Sequence, residues 1–271
     1  MKIGIAGLAL ACLMTITCTS HAAPDPGTFY LRGFLGYASQ ALGDVNDEIE
    51  NTGSFLSLVS TRTDWEKIGG AVPFGAEFGY QFSPMVSLGV GLGYQRSSRD
   101  HSADIDFIDP SSGTATAGLV TEEPKLSIFD FFGTVTLWAP SAPGLHFSGQ
   151  LGVARGKYQI TQNVDVASSD GTFEVSTFEG SAEKTTVLAG IFAGYEWPIS
   201  PMAGVAGRVG YRFCKLSTPE GDFTYLGQTE AGPFSDSGSG PLTDMNGNTM
   251  DVDFSGVLIE LGFTVRLGAP R

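Results

Sequence analysis

Residues 187–213 read VLAGIFAGYEWPISPMAGVAGRVGYRF, and this stretch limits the possible folds more than any other. Val187, Ala189, Ile191, Ala193, Tyr195 and Trp197 alternate with residues that include Gly190, Gly194 and Glu196. Beyond Pro198 and Pro201 the alternation resumes, with Val205, Gly207, Val209, Tyr211 and Phe213 set against Gly204, Ala206, Arg208, Gly210 and Arg212. A period of two puts successive side chains on opposite faces of a strand, so the stretch reads as a β-hairpin closed by a short proline turn. One face suits hydrocarbon, and the other is small, glycine-rich and sparsely charged. That combination is expected of a hairpin crossing a membrane inside a β-barrel.

The same alternation predicts strands near residues 28–38, 70–82, 85–97, 125–138, 145–158 and 257–265. With the two arms of the hairpin they make eight. Pro73 lacks a ladder donor and predicts a bulge or kink in the second strand. Residues 39–66, 98–124, 159–183 and 216–251 are long and polar, whereas the turns at 83–84, 139–144 and 198–202 are short. Strand-like inserts at 54–59, 173–178 and 223–226 would extend the hairpins beyond the membrane. Long connections alternating strictly with short ones are the arrangement of a bacterial outer-membrane barrel, with short turns in the periplasm and long loops outside. The expected fold is therefore all-β: an eight-stranded antiparallel up-and-down transmembrane β-barrel with four long extracellular loops and both termini periplasmic. Trp138 and Trp197 are expected to form a periplasmic aromatic girdle, with Tyr37, Tyr94, Tyr158 and Tyr211 near the outer edge.

Residues 1–22 carry an early lysine, a short apolar run and the exit Ser20-His21-Ala22, the signature of a cleaved signal peptide, which leaves 23–271 for the barrel. No later run reaches the roughly 18 continuous apolar residues of a helical span. Cys12 and Cys18 leave with the signal, so the mature chain keeps Cys214 alone and forms no intramolecular disulfide. The net charge is −14, and all of the 29 acidic residues except Asp25, Glu77, Asp130, Glu196 and Glu260 lie in or beside the long loops. An acidic rim attracts divalent cations and basic groups, though wet loops are also commonly charged. The basic residues form no run, which argues against nucleic acid as a partner.

Eight amphipathic strands with four long outer loops resemble the OmpA transmembrane domain, OmpX and Opa group of small outer-membrane barrels. ELGFTVRL at 260–267 is similar to that group's C-terminal assembly signal, with Val265 and Leu267 where aromatics are usual. The resemblance implies recognition by the barrel assembly machinery, contact with outer-membrane lipid and lipopolysaccharide, and a host or surface ligand at the loops.

Within the barrel, alternation directs Arg32, Arg208 and Arg212 inward together with Glu77, Asp130 and Glu260. An eight-stranded interior is just wide enough for side chains to fill. Unpaired charge in it is costly, so ion pairs are expected, with Glu260 beside Arg208 or Arg212 and near Arg32. Such pairs serve either as an electrostatic plug or as a narrow, gated ion path. Lipid A deacylases of this shape need a Ser-His-acid set near the outer rim. His146 lies at the periplasmic depth, and His101 and Ser102 point to opposite sides of a strand, so no catalytic residue is assigned. Asp244, Asn246, Asn248, Asp251 and Asp253 fail the calcium-loop spacing, with Gly247 fourth and Ser255 twelfth, so neither metal nor cofactor is assigned. The expected function is a non-enzymatic surface barrel supporting envelope integrity, adhesion or ligand contact through its acidic loops. The alternative is a narrow porin-like pore.

Overall fold

A computed structural model describes residues 25–108, 110–244 and 246–268; the signal segment 1–22 lies outside the described residues. In chain order the elements are β1 (Phe29–Ser39), α1 (Asp44–Leu56), β2 (Ser60–Asp64), β3 (Gly70–Ser83), β4 (Val86–Ser98), β5 (His101–Ile108), β6 (Ala115–Trp138), β7 (Leu145–Ser168), β8 (Phe173–Ser200), β9 (Ala203–Phe213), β10 (Lys215–Leu216), β11 (Glu220–Thr229), β12 (Gly232–Pro241), β13 (Val252–Asp253) and β14 (Gly256–Leu267).

Eight of these strands close on themselves. The antiparallel ring runs β1–β3–β4–β6–β7–β8–β9–β14 and back to β1, where Leu35 stands opposite Leu261. Closure leaves no unpaired edge within the ring, which hydrocarbon requires because it offers backbone groups no alternative partner. Outward positions carry Leu31, Phe78, Leu92, Phe131, Leu151, Ile191, Val209 and Leu261, each close to half exposed or more. In water this apolar belt would be an aggregation surface. Around a closed barrel it is the lipid-facing band, and the chain is an eight-stranded transmembrane β-barrel.

The aromatic girdles differ from expectation. Trp197 faces outward, its ring tilted against Tyr195 with centroids 4.8 Å apart, beside the short turn. Trp138 instead points into the lumen, 9% exposed, and its indole N–H donates to Ser87 Oγ at 3.2 Å. It shares the inward phase of Thr134 and Thr136, and that phase overrides the interfacial preference of the indole ring. Tyr158 is likewise buried, on the inward face of β7, while Tyr37 and Tyr211 remain outside.

The long polar stretches hold far more regular structure than loops. β6 and β7 each span 24 residues and β8 spans 28, against the 9–11 a tilted membrane strand needs. Their upper parts continue as an open sheet ordered β2–β5–β6–β7–β8–β11–β12. The inserts at 173–178 and 223–226 lie in strands of this outer sheet and pair with each other, Phe178 opposite Tyr225. The insert at 54–59 is not a strand: residues 44–56 form α1, which buries Val45, Ile49, Gly53 and Leu56 on one side. Spacings of four residues fit a helical turn, and Asp44 and Asp47 suit its positive N-terminus. Pro73 makes no bulge. The β1–β3 ladder lapses at residues 72–73 and resumes in the same register, while the pairing of β3 with β4 passes through Pro73 unshifted.

Candidate functional site

The lumen is best followed from the short-turn end upward. At the bottom Arg266 pairs with Glu196, and Thr264 donates to the same carboxylate at 3.3 Å. The indole of Trp138 and the ring of His146 lie 4.8 Å apart at this level, and His146 Nδ1 sits 3.1 Å from the carbonyl oxygen of Gly144.

One level higher, Arg32 and Glu77 are direct cross-strand partners in β1 and β3, and their side chains meet at 2.6 Å. Tyr30 donates its hydroxyl to the same carboxylate at 2.7 Å. Arg208 and Glu260 are direct partners in β9 and β14 and form a second ion pair, with a further Arg208 to Glu77 approach of 3.9 Å. The Arg208 guanidinium is held between two rings, 5.2 Å from the centre of Phe34 and 4.5 Å from that of Phe192. Stacking on both sides suits a planar cation and fixes its position.

Above this level Arg212 of β9 crosses the whole interior to β4, which stands opposite in the ring. It donates to Gln95 Oε1 at 2.5 Å and lies 3.5 Å from Asp130. Arg32, Arg208, Arg212 and Arg266 thus face Glu77, Asp130, Glu196 and Glu260, four charges against four. The bore is narrow because glycines lie beneath its large side chains. A Cβ at Gly79, Gly91 or Gly93 would overlap Tyr30, Phe132 or Asp130.

The upper lumen is made differently. Inward residues Leu126 and Ile128 of β6 and Ala154 of β7 form an apolar wall rather than a polar one, continuous with Phe132 and Leu188, which reach down among the charged residues. Leu42, Val45 and Ile49 descend onto it from the α1 segment, and Leu216, Val252 and Phe254 from the β10–β13 pair. Backbone hydrogen bonds stitch these pieces together, from Leu42 N to Asp253 O at 2.7 Å and from Phe254 N to Cys214 O at 2.8 Å. Asn46 uses both ends of its amide to clasp the backbone of Ile68, and Trp65 packs against Gly53 of the helix. The result is a dry lid over a charged lumen.

The six predicted lumen residues are all buried and fall into two groups, Arg32, Glu77, Arg208 and Glu260 in one and Arg212 and Asp130 in the other. Sequence reasoning had not included Tyr30, Gln95, Glu196 and Arg266, although Glu196 and Arg266 share the inward phase of Gly194 and Thr264. His101 is buried, with Nε2 2.9 Å from Glu66 O, while Ser102 is exposed on the opposite side of β5, so the two form no nucleophile and base. Asp244 accepts from the N–H groups of Asn246 and Asn248 and from the Asn248 amide at 2.8–3.0 Å. Its oxygens serve a tight turn, and among the described residues no cluster has the makings of a metal site.

No protein-family model matches the sequence, and no curated protein does so. Among solved structures, the chain is similar to Ail, the attachment invasion locus protein of Yersinia pestis, at 12% identity and a TM-score of 0.40, covering 90% of this chain and 99% of that one. It is also similar to CarO of Acinetobacter baumannii (12% identity, TM-score 0.36, 87% of this chain and 97% of that one). A third similarity is to the outer membrane protein OprG of Pseudomonas aeruginosa (12% identity, TM-score 0.34, 92% and 100%). These are small outer-membrane barrels, and likeness at this level extends to the barrel alone.

Proposed function

We propose that this chain is a closed, non-enzymatic barrel of the bacterial outer membrane. In this reading the short turns and both termini face the periplasm, and the chain's work is to hold an acidic β-sheet outside the cell for contact with another surface. The observation that supports this reading is the lid. Six apolar side chains (Leu42, Val45, Ile49, Leu216, Val252 and Phe254) are all but fully buried over the outer end of the lumen. Exposing them together would cost on the order of 10 kcal/mol. A pore would bear that cost at each opening, and beneath the lid it would also have to separate charge pairs fixed by cross-strand register.

A closed barrel with strands far longer than its membrane requires has its material outside. Attachment of cells that display the protein tests the reading. Replacing residues 220–241 with a short Gly-Ser turn removes β11 and β12 and spares the ring. Attachment to cultured cells and to matrix-coated surfaces is expected to fall to background, while the barrel keeps its heat-modifiable migration on gels. Undiminished attachment would contradict the proposal.

A further inference from the structure

Between α1 and the concave side of the outer sheet lies a cavity of about 350 Å³. Its walls come from β6, β7, β8, β11 and β12, and α1 and Met250 close it. The volume falls within the range of small-molecule sites. One wall is aromatic: Phe178 and Phe223 stack at 6.1 Å, and Tyr158 lines the same cavity. Ile49 and Met250 complete an apolar interior.

The polar lining carries charge of one sign. Glu48 and Glu122 line the cavity, Asp222 borders it from the opposite phase of β11 to Phe223, and the lining includes no lysine, arginine or histidine. Glu122 is the informative one, because its side chain is only 8% exposed. The Gln162 amide donates to it at 3.4 Å, the outer limit of a hydrogen bond. His101 Nδ1 approaches no nearer than 3.7 Å. A carboxylate removed from water without a full partner is costly, and a cation entering the cavity offsets that cost.

We propose that this cavity is a binding site for an organic cation: a primary or quaternary amine on an apolar, preferably aromatic, body. Glu122 receives the ammonium, and Phe178, Phe223 and Tyr158 take up the body and contribute cation–π attraction. Glu48, half-buried on α1, adds to the field that draws a cation in. The site stands apart from the surface-contact reading, since it needs neither an open lumen nor a macromolecular partner.

The test is titration of the full-length barrel in lipid nanodiscs with three probes of one body: 4-phenylbutylamine, 4-phenylbutanol and 4-phenylbutyrate. Empty nanodiscs supply the partitioning baseline. The amine is expected to bind above that baseline, the alcohol about tenfold or more weakly, and the carboxylate not at all. Glu122→Gln keeps the shape and the Gln162 contact but is expected to lose about tenfold in amine affinity. Gly240 lines the cavity, and a Cβ there meets no atom within 4 Å, so Gly240→Trp is expected to abolish binding of the amine. Should that variant not fold, Phe178→Ala supplies the same information through a several-fold loss. Equal binding of the three probes, an unchanged affinity in Glu122→Gln, or no amine binding above empty discs would overturn the proposal.

Discussion

The two halves of the lumen are built from opposite materials. The lower half balances four arginines against four carboxylates, with cross-strand partners such as Arg32 and Glu77 brought together by register. The upper half is filled by Leu126 and Ile128 under a lid of segments more than 200 residues apart in the chain, Leu42 beside Asp253. The difference is one of specificity against closure. Charges fix which strands face which, because a mispaired charge in a narrow bore is expensive. Apolar packing is indifferent to such detail but excludes water over a broad area. Together they set the register of the barrel and cover the outer end of its lumen.

The largest expected effect comes from breaking one charge of the lower half. Arg208→Ala leaves Glu260 and Glu77 facing an emptied position and is expected to cost about 3–5 kcal/mol, read from urea unfolding in lipid vesicles. Replacing both Arg208 and Glu260 with methionine should cost far less, because no lone charge remains. A double variant as damaged as the single one would show that the pair holds the barrel by attraction rather than by mutual neutralisation.

In the upper half, Leu216→Ala removes a fully buried side chain and is expected to cost about 2–5 kcal/mol, but locally. Hydrogen exchange should quicken across residues 41–56 and 250–255 while the membrane strands stay protected. Exchange rising in the ring as well would mean that lid and barrel form one cooperative unit.

Fluorescence separates the regions without a change in stability. Of the three tryptophans, Trp197 faces outward, Trp138 lies in the lumen and Trp65 sits under the lid. Brominated lipid is expected to quench Trp197 alone, read from variants that keep a single tryptophan. Quenching of Trp138 would return it to the interfacial girdle.

The smallest effect is at the lid's rim, where Lys215 bonds Asp251 at 2.7 Å and holds its carboxyl below the usual carboxylate range. A lowered carboxyl stabilises the fold above its unfolded pKa and loses that contribution as pH falls through the folded value. Lys215→Ala should therefore change lid exchange by no more than about 1 kcal/mol at neutral pH. The difference should shrink as the pH falls below about 4 and be gone once it is below the lowered folded value.

Much of this was legible in the sequence wherever period two held. Alternation in 187–213 gave the hairpin its two faces, and the same phase put Arg208, Arg212 and Glu260 on a shared interior. Phase also carried Trp138 and Tyr158 inward, but reading them by residue type rather than by phase set them in girdles. The helix was not read from the sequence: the apolar run at 54–59 suggests a strand and masks the helical spacing of Val45, Ile49 and Gly53. Contact with Trp65 and the clasp of Asn46 on Ile68 decide the outcome, and neither is local. The lid was not legible at all, because the segments that meet in it are joined only by the closed ring.

Current through a planar bilayer tests the central claim of closure most directly. Purified, refolded protein is predicted to insert without giving steady unitary conductance, and Glu260→Ala to remain equally silent beneath an intact lid. A reproducible unitary current in the wild type, altered in size by Glu260→Ala, would contradict it.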